Sequence, residues 1–506
     1  MVPKMMITFG MLIVFYLVVI VTLYRTYKQH DGTFTEYSVG GRSFSAPFVA
    51  MSYTNSWWPG TTFIAFVGLT IASGVIGFYA LVYSLLGLTG MYLMANHAWT
   101  WGQTYNLRTQ PDMLGLRYDS PSLKIVASVI GVVSLFPWMV LGMQALGELL
   151  HVASFNRLGI VTALLIGMAL MFVRQFWTVR MGMRGLVYTD MIQGLVAYTA
   201  TSLLCLGIII FYFHGFGALK TIPRSFLKLP GAAPTGPGEW YVFSLIFTGI
   251  VGSLCWPIIY QRIYTAKSTE SVKLATLQTF PIAGIFYLLL TLVALLAVSL
   301  PIVAKTAASE TGWFVLLKHV AGTWGIGFAV LAVFAASMGW IDGAVQVSGT
   351  QIANDIIGGY HTKSDGFLTK TAKIAMVGYM LAAAVVAYAT FNYAHLINLA
   401  IMSYQGIIQL AVPIFFGLWW KGGNRQGALG GLVCGFVVAA SLTYFYPSYI
   451  PWLGGLTAGL VGLAVNLAVF LGSALIIGQS KEEKSRVSKL FAQEQRMAQE
   501  KSGYTV

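Results

Sequence analysis

Ser56-Trp57-Trp58-Pro59-Gly60-Thr61-Thr62 sits in the middle of an apolar segment that runs from about Pro47 to Ile71. A proline inside a helix removes one backbone N–H and clashes with the carbonyl four residues back, and glycine adds backbone freedom. At membrane depth each freed backbone group needs another partner. Spans that unwind in the middle typically offer such groups to a substrate or an ion. Proline and glycine are also frequent in ordinary transmembrane helices, so a kinked packing helix is the plain alternative. The neighbours favour binding: two tryptophans supply an apolar wall and two threonines supply hydroxyls, which suits a small polar solute.

The rest of the chain has the composition such a span needs. Of 506 residues, 57% are hydrophobic and 9% charged, where a soluble domain carries about 25% charged residues. Runs of the roughly 20 apolar residues that cross a bilayer occur near 5–24, 46–71, 75–95, 122–150, 158–176, 186–213, 241–260, 274–300, 324–346, 372–392, 396–420, 427–446 and 453–477. The expectation is an all-α polytopic membrane protein of about 13 helices. Residues 1–45 would hold the first span and a loop, and 46–450 the main body. Residues 451–480 would hold the last span, and 481–506 a charged tail able to lie on the inner leaflet.

The formal net charge of +14 is a topology signal here and not a nucleic-acid signal. Lys4, Arg157, Lys220, Arg224, Lys228, Lys305 and Lys318 fall on one side of the expected spans; the other 23 of the 30 Lys and Arg fall on the opposite side. The positive-inside rule then places the N-terminus outside and the tail in the cytoplasm, in a plasma (inner) membrane. The three cysteines all lie in apolar spans and suggest buried small side chains, not a disulfide or metal framework. The histidines lie at loops or span edges, without metal-ligand spacing.

Acidic residues avoid the spans, with Asp342 and Asp190 as clear exceptions and Glu148 near an outer end. An ionisable group in the membrane is a functional candidate. Asp342 follows Ala335-Ala336-Ser337-Met338-Gly339-Trp340-Ile341, a small-residue stretch that allows close helix approach. The alternatives are a carboxylate satisfied by neighbouring hydroxyls for Asp342 and an interfacial cap for Asp190. No Lys or Arg is expected at the centre of a span, so a solute carboxylate would meet helix N-termini and hydroxyls.

Several runs resemble the sodium:solute symporter family over about residues 5 to 480. Tyr37-Ser38-Val39-Gly40-Gly41-Arg42-Ser43 is similar to its Tyr-x-x-Gly-Gly-Arg loop. Gly182 through Gly194, with Thr189-Asp190-Met191-Ile192-Gln193-Gly194, is similar to a pattern ending Thr-Asp-x-x-Gln-Gly. Pro257–Arg262 with Ala266-Lys267-Ser268 resembles the seventh span and its exit. Pro413, Gly417-Leu418-Trp419-Trp420-Lys421, Asn424-Arg425-Gln426-Gly427-Ala428 and Gly431 form the most specific run. The resemblance implies a LeuT-type core of two inverted five-helix repeats. It implies breaks near Trp58-Pro59-Gly60 and Trp256-Pro257, with solute bound between them and alternating access. It implies a coupling sodium ion on the carbonyls of Asn55 and Trp58, with a further carbonyl from Ala336.

The chain departs from that pattern where the family usually has adjacent hydroxyls: here Gly339 and Trp340 stand instead, and Ser337 is on another face of the helix. Asp342 appears where some members use a hydroxyl, alongside the acid matching Asp190. Either sodium is held differently, with Asp342 as a charged ligand, or the ion is a proton on two mutually repelling carboxylates. Both remain open, and no other cofactor is expected. Solute candidates are Trp57, Trp58, Thr61, Thr62, Trp256, Tyr404, Gln405 and Gln409; a small carboxylic or amino acid is favoured. Expected partners are this solute and the lipid bilayer, with no nucleic acid. A sensor acting through a partner protein is the first alternative. An uncoupled channel and a membrane enzyme are further ones, the enzyme lacking convergent acids near an interface.

Overall fold

A computed structural model describes residues 2–26, 32–229, 238–304, 311–361, 363–391 and 403–502. Among these there is no strand, only isolated bridges at Phe44–Ala266 and Ile450–Leu456. In chain order the main helices are α1 Val2–Thr26, α2 Ala46–Trp57, α3 Thr61–Ser73, α4 Tyr79–Thr104, α5 Pro121–Ala153, α6 Ile160–Met181 and α7 Met183–Gly194. They continue with α8 Glu239–Ser253, α9 Pro257–Thr265, α10 Thr269–Ala297, α11 Gly312–Gln351, α12 Asp365–Thr390, α13 Ala411–Trp419, α14 Arg425–Phe445, α15 Ala458–Ile476 and α16 Lys481–Ser502.

Eleven helices among the described residues are long and apolar enough to cross a membrane. The difference from thirteen has a simple origin. One of them, Thr61–Thr104, joins the second half of the broken second span to the third span through a tight turn at Gly74–Phe78. The expected eleventh span begins within 392–402, outside the described residues, and ends in α13.

The chain leaves the helix at both expected breaks. Trp58 closes α2 in an extended conformation, its N–H still donating to the Thr54 carbonyl at 3.2 Å. Trp256 is likewise extended before Pro257, which occupies the first turn of α9. Proline is tolerated there because the first-turn N–H has no intrahelical acceptor anyway. Helix α11 runs beside the first break and is the centre of the bundle: 83% of its most apolar stretch is buried, against 22% for α15 at the periphery. The contact is close because Gly60 has no side chain. A Cβ there would fall 2.1 Å from the Ser337 hydroxyl and 2.3 Å from the Val333 carbonyl.

The ends that carry the basic loops meet in a polar layer. Lys124 bridges Asp112 at 2.5 Å and Asp355 at 3.5 Å. Thr109 donates to Asp355 (2.8 Å) and Asn354 to Asp112 (2.8 Å). Burial alone would raise the Asp112 carboxyl, but the Lys124 ammonium and these donors hold it below the usual range. The first turns of the tail helix dock here. Arg486 donates to the carbonyls of Leu116 and Arg117, and Phe491 packs edge-on to Trp101. Val487, Leu490 and Phe491 are buried, so this part of α16 lies against the protein.

Gly60→Ala forces a methyl group against the α11 backbone, where overpacking costs about 1–3 kcal/mol. Thermal unfolding of the purified protein should show a clear loss of Tm for Gly60→Ala. Gly378→Ala, a site with nothing within 4 Å, should leave Tm unchanged or slightly higher.

Candidate functional site

Between the two breaks lies a cavity of about 70 Å³, lined from α2, α3, α4, α5, α8, α9, α11 and the segment around Tyr404. Seven of the eight expected solute residues line it: Trp57, Trp58, Thr61, Thr62, Trp256, Tyr404 and Gln405. Gln409 does not. One turn further on, its side-chain amide donates to the Gly459 carbonyl at 2.9 Å, while its backbone carbonyl accepts from the Asn466 amide at 2.7 Å. It fastens this segment to α15. Gln405 is also partly engaged, since its side-chain oxygen accepts from the Gly459 N–H.

Nine aromatic rings line the cavity: Trp57, Trp58, Trp138, Trp256, Trp340, Phe66, Tyr79, Tyr83 and Tyr404. No acidic, basic or histidine side chain is among the lining residues. Trp256 meets Tyr404 edge-on at 5.3 Å between ring centres, and Trp138 lies 6.1 Å from Trp340. Five buried polar atoms here have no protein partner: the indole nitrogens of Trp57 and Trp58 and the hydroxyls of Thr61, Thr248 and Thr457. Buried polar groups are normally satisfied, so a set of orphans around one cavity marks where a polar ligand or water belongs. The first turns of α3 and α9 both open onto this space, presenting the partly positive ends of two helices. Sequence reasoning missed Trp138, Tyr79, Tyr83 and Thr248. Pro137, inside α5 and next to Trp138, was the one available signal.

On the α2 side of the first break lies a second, fully buried polar cluster. Asp190 accepts from the Ser52 hydroxyl at 2.5 Å and the Asn55 amide at 2.8 Å. The same amide reaches the Gln193 carbonyl oxygen at 3.0 Å. The Tyr198 hydroxyl donates to the Trp58 carbonyl at 2.5 Å, and lies 3.4 Å from the Asn55 side-chain oxygen. Tyr198 sits in a π-helical stretch, Leu195–Ala200, a distortion often found at functional sites. Asn55 reaches this cluster because position 339 is glycine: a Cβ on Gly339 would fall 1.6 Å from the Asn55 amide nitrogen. Where the family pattern has hydroxyls on α11, this chain brings in an amide from α2.

The coupling candidates therefore divide. Asn55, Trp58 and Ser337 lie at the break, and Ala336, also buried, precedes Ser337 in α11. The Ser337 hydroxyl is buried without a partner beside Gly60. The Asn55 carbonyl lacks its helical partner because residue 59 is proline. These are neutral oxygens of the kind a sodium ion takes. Asp342 and Asp190 instead face cations. Arg174 pairs with Asp342, all four side chains here being fully buried, and Arg262 lies 3.8 Å from Asp190. Neither arginine stands at the centre of its span; what the sequence reading lacked is that each is buried against a carboxylate. The expected fifth span, 158–176, already held Arg174, while the expected seventh ended at 260, two residues before Arg262. The helices continue to Met181 and Thr265, so both arginines lie inside helical segments with guanidinium groups directed inward. The paired carboxylates also do not stand alone as the proton-site reading assumed. Neither arginine lines the cavity.

Residues 37–435 match the sodium:solute symporter family. The chain belongs to that family. It is 22% identical over 482 residues to an uncharacterized symporter, YhjB, of Bacillus subtilis, covering 90% of this chain and 94% of that protein. It is 25% identical over 494 residues to a sodium/proline symporter of Staphylococcus aureus, covering 91% of each. The fold matches a solved substrate-bound, outward-open Na+-coupled sialic acid symporter with a TM-score of 0.76 at 14% identity, over 93% of this chain and 98% of that one. The architecture is thus the inverted-repeat, LeuT-type transporter core, and the chain is an integral membrane protein and secondary transporter of a small solute.

Gly339→Ser, the change toward the family pattern, should destabilise by about 1–3 kcal/mol through collision with Asn55. Asn55→Ala/Gly339→Ser should recover most of that loss in Tm. Additive effects of the two changes would show that the side chains do not share this space.

Proposed function

We propose that this symporter carries a small amino acid or a closely related carboxylic acid inward, with the N-terminus outside the plasma membrane and the tail in the cytoplasm. The observation that carries the solute class is the cavity lining: nine aromatic rings, orphaned hydroxyl and indole groups, and no charged side chain. A protonated amine is attracted to aromatic faces, worth about 0.5–2 kcal/mol per interaction. A carboxylate is served by the two helix starts and the Thr61 and Thr62 hydroxyls. Of the two solute classes, the amino acid uses both features. Trp57, Trp58, Thr61, Thr62, Trp256, Tyr404 and Gln405 are its proposed contacts.

Family membership supports sodium as the coupling ion. The carbonyls of Asn55 and Trp58, with Ala336 and Ser337, are the neutral oxygens proposed to hold it. The ion would stabilise the packing of the broken span on α11. Proton coupling through Asp342 and Asp190 is the competing reading.

The test is uptake in proteoliposomes, driven first by a sodium gradient at fixed pH and then by a pH gradient without sodium. Amino acids, their N-methylated forms and matched carboxylic acids lacking the amine would be compared. Sodium-driven uptake that depends on the amine is the expected outcome; equal uptake of the amine-free acids would overturn the solute class. Uptake driven by pH alone would overturn the ion. Trp256→Ala should lower kcat/KM at least tenfold, about 1.4 kcal/mol, while Trp256→Phe should retain most activity.

A further inference from the structure

The pairing of Arg174 with Asp342 goes beyond that reading, because it separates the coupling candidates. We infer that Arg174 is a built-in counter-cation for Asp342, and that this carboxylate takes neither the coupling sodium nor a coupling proton.

The argument starts from what surrounds the carboxylate. Its oxygens face donors from a single helix. Arg174 pairs with Oδ2, Gln175 donates to Oδ1 at 2.5 Å, and Thr178 donates to Oδ1 at 3.4 Å. The Arg174 fork is itself fixed, with Nη1 donating to Thr178 at 2.9 Å and Nη2 to Thr189 at 3.2 Å. A sodium ion needs oxygen lone pairs turned toward it. The groups that touch the Asp342 oxygens are N–H and O–H donors, the wrong polarity for a cation.

Charge decides the same way. Both side chains are fully buried, and together they are neutral. The next charges, Asp190 and Arg262, form their own neutral pair; a Cβ on Gly343 would lie 3.1 Å from an Arg262 nitrogen. An added sodium would leave one net positive charge in the apolar interior. A proton on Asp342 would strand the Arg174 guanidinium without its anion. Breaking a buried pair in this way is strongly unfavourable. Asp342 therefore joins α6 to α11 as a fixed tie, and Arg174 is a positioning residue. Ion occupancy falls to the neutral oxygens at the break.

The experiment reads ion binding without solute, so a failed uptake assay leaves it decisive. Thermal unfolding is measured in lipid nanodiscs with sodium chloride or N-methylglucamine chloride at equal ionic strength, at pH 6 and pH 8. The proteins are wild type, Arg174→Met, Asp342→Asn and Arg174→Met/Asp342→Asn. Wild type and the double variant should show the same sodium-dependent and pH-dependent shifts in Tm. Arg174→Met, if it folds, should gain a sodium-dependent rise in Tm that the second substitution removes. Asp342→Asn alone should have a lower Tm than the double variant, because it strands the arginine. Loss of a wild-type sodium or pH shift in the double variant would overturn the inference. The comparison of those two neutral-pair proteins holds even when both single variants misfold.

Discussion

Everything at the centre of this protein depends on how the backbone freed at one proline is satisfied. Pro59 removes an N–H, and the helix before it ends with carbonyls that have no intrahelical donor. In a lipid environment such groups are tolerated only where protein or bound water meets them. The Tyr198 hydroxyl answers the Trp58 carbonyl from a neighbouring helix. The missing side chain of Gly60 lets α11 approach closely enough to seal the other side. The aromatic-lined cavity is what remains open between these two contacts and the second break at Trp256.

The same economy governs charge. The membrane interior holds two carboxylates and two guanidinium groups near the break, arranged so that each anion has a cation. They are kept out of the cavity between the breaks, whose wall is aromatic and hydroxylic. Polarity is thus sorted by place: fixed ion pairs outside the cavity, and neutral donors and π faces along its wall. A carrier has reason for that order, because a solute held by an unscreened fixed charge would be slow to leave, while weak neutral contacts release it when the bundle rearranges.

Much of this was legible in the sequence because its signals are local. Hydropathy runs mark spans, and proline with glycine marks breaks, wherever the chain goes next. The residues flanking the breaks followed directly, which is why Trp57, Trp58, Thr61, Thr62 and Trp256 were readable. What depends on neighbours was not. Gln405 and Gln409 lie one helical turn apart, and only packing against α15 decides that the second is a fastening and not a wall. Arg174 and Arg262 were counted with the basic loops, since each lies close to or beyond the end of its hydropathy run. Their helices continue, and buried partners make the charges tolerable. The exchange of space between Asn55 and Gly339 joins residues far apart in sequence, and no local pattern encodes it.

That exchange also constrains how such a chain can change over generations. A side chain at position 339 collides with Asn55 while the amide fills the space, because the first atom added would overlap it. Position 55 can shrink first, leaving a small void and an under-satisfied Asp190. The path from an amide-filled centre to a hydroxyl-lined one is therefore ordered: loss at 55 precedes gain at 339. Residues 55 and 339 are therefore to be read together, since the space open to one is set by the other.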